Sequence, residues 1–590
     1  MEPLPAEATI VTPKQHTQGS GAPAISTLRI HLLLASLTFL SIGLAFFPST
    51  GRDDAYITFW VAHTLSSRGQ ILNYNGWLVE QSSSLLYSLL LALFQKATGA
   101  SIVATGHVAG IAFGLVGLAL VGWLASRLNL GATPLWLVAL SPYYLYWTFS
   151  GMETSLTTAL YVGMCLGMGG YFFNETGHFL LITMLVIAAL LVRPETFFVL
   201  CCVALGAWFL SHLPLHIAPQ RIRVYIFLAL VLIGQCLLFA FRQQIFGAWF
   251  PQPVAVKIGG AILPKIHLGA AYLYHTLFSS LAHGILAVLS TLGLALCAHN
   301  VYKTRHVPAE GLIAVLIIAS QIGFIIATGG DWMENGRFLV PFWPLYLTLG
   351  WYGVRQRVNI SLRRIVLIAF LLLEGLSTLH MARFTSTSSP LWAQVPWNTL
   401  ALSPSPVTQE KFSWFDYHNR VHLRDIPLIL RLEQITNRLA NTTSPPETLW
   451  IMSHQMGMVP FHVAKRAEHI HFIDLYGLTD RLLSSCAVTR SHPRSINGIQ
   501  ISYAFFFANL DAIQQRCHIP KPDILFDLFT NPNELTAITR EGYVIVYIQE
   551  GEIRPRSFFH GSVVQANQFI AVRKSLCKTV NCTLQRVTTP

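Results

Sequence analysis

Charged side chains are scarce in this chain of 590 residues. Only 11% of the residues are Asp, Glu, Lys or Arg, whereas 53% are hydrophobic and the mean hydropathy is +0.50. A soluble protein carries about 25% charged residues, so the composition excludes an ordinary water-soluble enzyme. The apolar residues form long runs, for example 111–125, 179–192, 224–241 and 311–328. Since a helix needs about 20 mostly apolar residues to cross a bilayer, the sequence predicts a membrane protein with several spans.

Basic tracts are also missing, although the formal net charge is +12. Lysine and arginine are spread over short loops between apolar runs and over the C-terminal part of the chain. No recognition motif for DNA or RNA accompanies them, so we expect no nucleic-acid partner. Basic loops of this kind favour membrane lipids and phosphate-bearing substrates as partners.

The nine cysteines form no CxxC pair and no Cys/His spacing typical of a zinc site. Four of them, Cys486, Cys517, Cys577 and Cys582, lie in the C-terminal part of the chain. An even number of cysteines outside the membrane permits one or two disulfides, and all three full pairings stay open.

Composition divides the chain into three regions. Residues 1–27 are a polar tail without a typical signal-peptide cleavage site, and we expect them in the cytoplasm. Residues 28–380 contain roughly eleven to twelve candidate spans separated by short loops. Residues 381–590 have globular patterning and are long enough for a separate core. The predicted fold is a mainly α, polytopic transmembrane bundle followed by a soluble α/β or α+β domain.

Local patterns predict several elements of the C-terminal domain. We expect a helix over 427–440 with Pro427 in its first turn, and strands over 449–452, 472–475 and 543–548. No internal repeat is visible, which gives no support to a transporter built from duplicated halves.

The distribution of Lys and Arg predicts the side of the membrane that each loop faces. Loops 302–305 and 355–364 are the most basic short loops and are therefore expected in the cytoplasm. The spans after these loops lead outward. We therefore expect 51–81, 329–336 and the C-terminal domain on the outer face.

Two adjacent acids, Asp53 and Asp54, follow the first apolar run, and the residues after them have the spacing of a short helix on the membrane surface. Neighbouring carboxylates beside a low-dielectric boundary repel each other, so one of the two is expected to have a raised pKa. This suits a general base that takes a proton from a hydroxyl group, or a ligand for a divalent cation. A charged helix end that only fixes depth in the bilayer explains the pair equally well.

Several sequence blocks occur in a characteristic order: the run DDAYITFWVAHTLSSRGQILNYNGWLVEQSSSLLYSLLLAL from residue 53, SGMETSL at 150–156, LVRPET at 191–196, RQQIFGAWFPQPVAVK at 242–257, GGDWMENGRFLVP at 329–341, GMVP at 457–460, IDLYGLTD at 473–480 and PDIL at 522–525. Together they resemble the GT-C superfamily of membrane glycosyltransferases over most of the chain. Within it, the chain is similar to the terminal arabinofuranosyltransferase family and its uncharacterised bacterial relatives.

The resemblance implies transfer of a sugar, an arabinofuranose or a hexose, from a polyprenyl-phosphate donor to a glycan or lipid acceptor of the cell envelope. It places the chain in a bacterial cytoplasmic membrane with the C-terminal domain in the periplasm. An acid of the first outer loop is the catalytic base of that superfamily or acts with a metal. The resemblance therefore implies that Asp54, or else Asp53, deprotonates the acceptor, and that any divalent cation would lie at the same pair. No other cofactor is indicated.

The leaving polyprenyl phosphate needs positive charge near its oxygens. The candidates for this role are Arg337, Lys257, Arg242 and Arg193. Candidates for binding the rest of the substrate are Glu80, Glu153 and Asp331. Structural roles compete with these: an ion pair for Arg193 with Glu195 and for Arg337 with Asp331, a helix cap for Glu153, and a turn for Glu80.

Two other functions stay open at this point. One is a transporter or flippase of a lipid-linked sugar, in which the acids couple to protons or ions. The other is a non-catalytic envelope protein whose C-terminal domain binds glycan. Acids midway along the spans would favour the transporter, whereas the acids discussed above are expected at one face of the membrane.

Overall fold

The structure is a computed structural model of the chain, which forms a helix bundle followed by a domain built on a β-sheet. The residues that it describes are 21–47, 53–173, 179–213, 218–259, 261–278, 281–304, 308–331, 333, 336–385, 414–441, 447–465, 469–490, 494–495, 498–499, 501–529, 532–550, 553–555, 563–565 and 567–588.

The bundle consists of helices that are mostly apolar and run up to residue 385. They are α1 (Gly21–Phe46), α2 (Asp53–Arg68), α3 (Leu85–Thr98), α4 (Ile102–Arg127), α5 (Thr133–Ala139), α6 (Pro142–Thr148), α7 (Thr154–Phe173), α8 (Phe179–Val192), α9 (Glu195–Leu210), α10 (Arg221–Phe246), α11 (Gln252–Lys257), α12 (Ile262–Leu277), α13 (Leu281–Thr304), α14 (Ala309–Thr328), α15 (Trp343–Arg357) and α16 (Ile360–Thr385).

Five helices in the described part of the chain are long and apolar enough to cross a membrane, namely α1 over Thr27–Phe46, α4, α7, α10 and α14. Four shorter apolar helices are α3, α8, α9 and the His283–Leu296 part of α13. Large apolar side chains such as Ile233 and Leu237 on α10 are exposed. An apolar helix surface of this kind is typical of contact with lipid. The predicted polytopic helix bundle is therefore confirmed, while the number of eleven to twelve spans stays a prediction.

The C-terminal domain contains helices and strands in alternation. They are α17 (Trp414–Ala440), β1 (Leu449–Ser453), α18 (Met458–Ala464), β2 (Ile470–Asp474), α19 (Leu482–Ser485), β3 (Arg494–Ser495), β4 (Gly498–Ile499), α20 (Tyr503–Ala508), α21 (Leu510–Cys517), β5 (Ile524–Phe529), α22 (Pro532–Arg540), β6 (Tyr543–Glu550), β7 (Ile553–Pro555), β8 (Val563–Gln565), β9 (Asn567–Arg573), α23 (Cys577–Val580) and β10 (Gln585–Thr588).

Six of these strands form one mixed sheet in the order β10-β6-β9-β5-β1-β2. The pairs β1/β2, β1/β5 and β10/β6 are parallel, whereas β9 is antiparallel to both of its neighbours. Alternate strand residues enter two separate cores: Ile451 joins the apolar core that includes the bundle, whereas Met452 joins a second core with Ile513 of α21 and Ile538 of α22. Helices thus cover both faces, and the domain is α/β.

Most element predictions for this domain are confirmed. The three predicted strands correspond to β1, β2 and β6. The predicted helix is α17, but it begins at Trp414 and Pro427 lies inside it. The predicted start was wrong because a proline removes one backbone hydrogen bond without necessarily ending a helix.

Two disulfides join the four cysteines of the domain. Cys486 pairs with Cys517, and Cys577 pairs with Cys582. The structure thereby selects one of the three pairings that the sequence left open.

Helix α2 connects the two parts of the molecule. The predicted helix after the acid pair is confirmed, but its position on an open membrane surface is not, since residues such as Phe59 and Ala62 are fully buried. Helix α18 packs over it, with the Phe461 ring centroid 5.2 Å from that of Tyr56 and 6.3 Å from that of Trp60. The first loop of the bundle is therefore enclosed by the C-terminal domain.

Candidate active site

The two adjacent acids occupy the first turn of α2 and have different partners. A carboxylate oxygen of Asp53 (Oδ1) accepts a hydrogen bond from the backbone N–H of Met458 in the C-terminal domain, at 2.7 Å. Asp54 instead forms an ion pair with Arg337, at 3.2 Å between Oδ2 and Nη1. Consecutive residues of a helix point in different directions, so the pair is divided between two environments.

Arg337 is also paired with Asp331, at 2.6 Å between Nε and Oδ2. Three glycines of the same loop have positive φ, +92° at Gly329, +78° at Gly330 and +64° at Gly336. A Cβ at Gly330 would lie 2.6 Å from a side-chain atom of Tyr272 on α12. Glycine is needed here for both its conformation and its size, and it lets the loop bring its acid and its arginine close to α12.

Arg193 lies between α8 and α9, and its guanidinium pairs with the carboxylates of both Glu153 and Glu195. All three side chains are buried. The guanidinium carbons of Arg193 and Arg337 lie 5.2 and 5.5 Å from the ring centroid of Phe338. The ion-pair alternative for Arg193 is confirmed, with Glu153 as an additional partner. Because the guanidinium groups of Arg193 and Arg337 both lie near the Phe338 ring, the two ion-pair groups are neighbours.

Lys257 ends α11 and lies within electrostatic range of Asp331, Arg337 and Asp54. Burial lowers the pKa of its ammonium group, Asp331 and Asp54 oppose this effect, and Arg337 adds to it. Within the described residues, no hydrogen bond or ion pair occupies the ammonium group. Lys257 is thus a cation with capacity for a further anion.

Asp54 differs from the other acids of the cluster in its exposure. Its side chain is 21% exposed, compared with 3% for Asp331. Burial raises the pKa of the Asp54 carboxyl above its ordinary value, and Arg337 and Lys257 counteract part of that shift. A carboxyl with a raised pKa that still reaches solvent is suited to accepting a proton from a hydroxyl group.

The cluster around Asp54 contains more acids than cations. It consists of the cationic side chains of Arg193, Arg337 and Lys257 and the acidic side chains of Asp54, Asp331, Glu153 and Glu195. Asp331 and Glu153 add to the effect of burial in raising the pKa of the Asp54 carboxyl, and a raised pKa makes its carboxylate a stronger base.

Arg242 and Glu80 form a separate ion pair. Nε and Nη2 of the arginine donate to the two carboxylate oxygens at 2.7 and 3.1 Å, and the side chains of Arg242 and Glu80 are 4% and 3% exposed. The backbone carbonyl of Glu80 also accepts from the N–H of Gln252, at 2.9 Å. The geometry therefore couples these two predicted substrate residues to each other and to the start of α11.

Three aromatic residues near the acid pair lie outside the predicted catalytic, phosphate-binding and substrate-binding residues; of these, Tyr74 could stack on a sugar ring, but its sequence position favours an interfacial aromatic. Tyr74 donates its hydroxyl to the carbonyl of Gly457 at 3.1 Å, and Phe338 lies near the two arginines. Tyr272 lies close to the glycine turn. A signal existed for Phe338, which follows Arg337 directly in the Gly-Arg-Phe block. Tyr74 and Tyr272 resemble ordinary interfacial aromatic residues in sequence.

A metal site was left open by the sequence. Within the described part of the chain, no group of three or more His, Cys, Asp or Glu residues is placed to hold a metal ion. The pair at residues 53 and 54 is itself divided between Met458 and Arg337.

No protein-family model matches the chain, and no curated protein matches it. Among solved structures, it is similar to the arabinofuranosyltransferase AftD from mycobacteria, with 14% identity, a TM-score of 0.47, and coverage of 92% of this chain and 40% of AftD. The chain thus spans about two fifths of the length of AftD.

It is also similar to ArnT from Cupriavidus metallidurans, in a structure bound to undecaprenyl phosphate, with 11% identity, a TM-score of 0.45, and coverage of 93% of this chain and 98% of ArnT. A third similar structure is the oligosaccharyltransferase of Archaeoglobus fulgidus, with 11% identity, a TM-score of 0.45, and coverage of 85% of this chain and 69% of that protein.

Proposed function

We propose that this chain is a GT-C membrane glycosyltransferase that transfers a sugar from a polyprenyl-phosphate donor to a glycan or lipid acceptor of the cell envelope. The observation that carries the proposal is the position of Asp54, a partly exposed acid beside Arg337 and within electrostatic range of Lys257. A base next to two cations provides both groups that the reaction needs. The ordered blocks of the sequence support the same class. The donor sugar is an arabinofuranose or a hexose.

In the proposed reaction, Asp54 accepts the proton of an acceptor hydroxyl. The oxygen attacks the anomeric carbon of the donor sugar, and the bond between that carbon and the phosphate oxygen breaks with its electron pair on the phosphate. Attack opposite the leaving group inverts the anomeric centre. The raised pKa of Asp54 increases its strength as a base, which favours the proton transfer.

The leaving polyprenyl phosphate is stabilised by Arg337 and Lys257. Arg337 already has its guanidinium between two acids, and Lys257 has no ion pair among the described residues. Positive groups held in place before the reaction stabilise the charge that develops on the leaving group. The isoprenoid chain can remain in lipid while its phosphate reaches these two residues.

The other predicted site residues act as supports in this proposal. Glu153 and Glu195 hold Arg193, Asp331 holds Arg337, and Glu80 holds Arg242. The carboxylates that bind Arg193 and Arg242 are all buried, whereas Arg337 has a partly exposed partner in Asp54. We therefore place Arg193 and Arg242 behind the reacting groups.

We place the reaction at the outer face of a bacterial cytoplasmic membrane, with the C-terminal domain in the periplasm. The basic loops 302–305 and 355–364 support this orientation, and the two disulfides of the domain are those expected of an oxidising compartment.

One observation favours a transporter as the second candidate. Glu374 is completely buried in α16, and neither of its carboxyl oxygens has a hydrogen-bond partner among the described residues. Buried acids inside membrane helices are frequent in proton-coupled transport. In this alternative, Glu374 would exchange a proton during movement of a lipid-linked sugar.

A transfer assay distinguishes these functions. Membranes containing the chain are supplied with labelled polyprenyl-phosphate arabinofuranose or hexose, and Asp54→Asn is compared with the wild type and with Glu374→Gln. We expect Asp54→Asn to lower transfer by about 10²–10⁴-fold, because the amide cannot accept the proton. Glu374→Gln, which mimics a neutral carboxyl, should retain transfer.

Full activity of Asp54→Asn would contradict the acid–base role. If the wild type transfers no sugar from any such donor, the glycosyltransferase proposal fails. Uptake of a lipid-linked sugar into vesicles that depends on Glu374 would then support the transporter, and glycan binding without transfer or uptake would support the non-catalytic protein.

A further inference from the structure

One peptide unit of the C-terminal domain is bound on both sides by the first loop of the bundle. The carbonyl of Gly457 accepts a hydrogen bond from the Tyr74 hydroxyl at 3.1 Å, and the N–H of Met458 donates to Asp53 at 2.7 Å. The N–H of the Gly457–Met458 peptide is thus bound by a residue 405 positions earlier, and its carbonyl by a residue 383 positions earlier in addition to the Phe461 N–H of α18 at 3.1 Å. Buried backbone groups need such partners, so these contacts fix the two parts relative to each other.

The contact is also sterically close. A Cβ added at Gly457 would lie 2.1 Å from the backbone oxygen of Asp53 and 2.3 Å from its carboxyl carbon. No other residue fits at this position without moving α2 or α18. Glycine here allows the C-terminal domain to approach the helix that carries the acids.

Further hydrogen bonds attach the C-terminal domain to the bundle. The side chain of Asn75 accepts from the N–H of Phe472 at 2.6 Å and donates to its carbonyl at 2.9 Å, which pairs the edge of β2. The side-chain amide of Gln252 lies 2.8 Å from the carbonyls of Gly477 and Asp480. The domain is thus attached to the first loop and to α11, the two segments that carry Asp54 and Lys257.

We propose that Asp53 is a positioning residue that binds the C-terminal domain to the first turn of α2 and so sets the direction of Asp54. This inference rests on the proposed function for the role of Asp54, but the contact itself does not. The domain then belongs to the framework of the active site, in addition to any binding of acceptor. In this contact Asp53 acts through a side-chain oxygen that accepts a hydrogen bond.

Three substitutions distinguish the role of the Asp53 side-chain oxygen from the role of its negative charge. Asp53→Asn keeps an oxygen that can accept from Met458, Asp53→Ala removes it, and Gly457→Ala adds a methyl group against Asp53. Gly170→Ala in α7 is the matched control, because a Cβ there meets nothing within 4 Å.

The contact is measured by amide hydrogen exchange of the purified full chain over Met458–Ala464. We expect faster exchange in Asp53→Ala and Gly457→Ala, and exchange like that of the wild type in Asp53→Asn, Asp54→Asn and Gly170→Ala. Unchanged exchange in Asp53→Ala would overturn the proposal, whatever the transfer assay shows.

Transfer activity tests the consequence for Asp54. We expect Asp53→Ala and Gly457→Ala to lower kcat by up to about a hundredfold, since misplacement of a reacting group by about 1 Å has that effect. Asp53→Asn should restore most of the activity, with the same pH profile as the wild type. An inactive Asp53→Asn variant with normal exchange would instead show that the charge of Asp53 takes part in the chemistry. Absence of transfer in the wild type would count against the proposed function alone.

Discussion

Among the described residues, two groups of buried arginine and carboxylate differ in how they are paired and exposed. Arg242 and Glu80 form a closed pair with two hydrogen bonds, and both side chains are almost fully buried. Arg337 is shared between Asp331 and Asp54, and the second of these acids is 21% exposed. Lys257 adds a cation with no ion pair among the described residues.

The difference supports the proposal that the group containing Asp54 is the one that reacts. In a closed pair each charge is neutralised, and opening the pair leaves an uncompensated charge in a low-dielectric interior. In the shared group, an incoming phosphate can meet Lys257, which has no ion pair among the described residues, next to the partly exposed Asp54 and its partner Arg337. Strong burial of charge alone therefore does not identify an active site; the proposed assignment rests on the partial exposure of Asp54 and on Lys257, which has no ion pair among the described residues.

The closed pair should respond to mutation mainly through stability. Arg242→Met leaves Glu80 buried without its partner, and we expect a loss of about 3–5 kcal/mol in the free energy of unfolding. Thermal unfolding of the detergent-solubilised protein measures this loss. The double variant Glu80→Leu/Arg242→Met removes both charges and should recover much of it; no recovery would indicate that the pair has a role beyond mutual neutralisation.

The shared group should respond mainly through activity. Arg337→Gln removes a cation next to the leaving phosphate, and we expect transfer to fall by about 10²–10³-fold. The same preparation should bind polyprenyl phosphate more weakly in a fluorescence-quenching titration. If transfer falls only in proportion to the amount of folded protein, the arginine is structural and the distinction between the two groups is lost.

The smallest expected effect is on the pH dependence of transfer. The acidic limb should lie above the ordinary range of an aspartate, because Asp54 must be deprotonated to act as a base and its pKa is raised. The alkaline limb should lie below the ordinary range of a lysine, because Lys257 has a lowered pKa and loses its charge as the pH rises.

Lys257→Arg sharpens this test, since an arginine stays charged throughout. We expect the variant to move the alkaline limb to higher pH and to leave the acidic limb in place. An alkaline limb that does not move would assign it to a group other than Lys257.

Much of the architecture could be predicted from the sequence because it depends on local patterns. Long apolar runs indicate helices in lipid, and the alternation in 543–548 indicates a strand, which is β6. Pro427 misled the prediction of the helix start, since a local signal for a first turn was outweighed by the surrounding helix. The disulfide pairing depends on the three-dimensional fold, and the sequence could not select it.

The candidate site likewise combines features that could be predicted from the sequence with features that could not. The approach of residues 53 and 54 to Asp331 and Arg337 agrees with the prediction that both loops face the same side, and Asp54 does contact Arg337. The pairing of Glu80 with Arg242 joins residues 162 positions apart and carries no local signal. The different partners of Asp53 and Asp54 follow from helix geometry and from the position of Gly457. Two adjacent acids in the sequence give no information on either.

The hydrogen bond between Asp53 and Met458 joins residues 405 positions apart. The first turn of α2 therefore receives this partner only after the chain beyond α16 has been synthesised. Contacts of such sequence separation form late, because a long loop must close before they provide any stabilisation. A nascent chain that already has its membrane helices in place still lacks the Met458 partner of Asp53, so the proposed active site is completed late in biosynthesis.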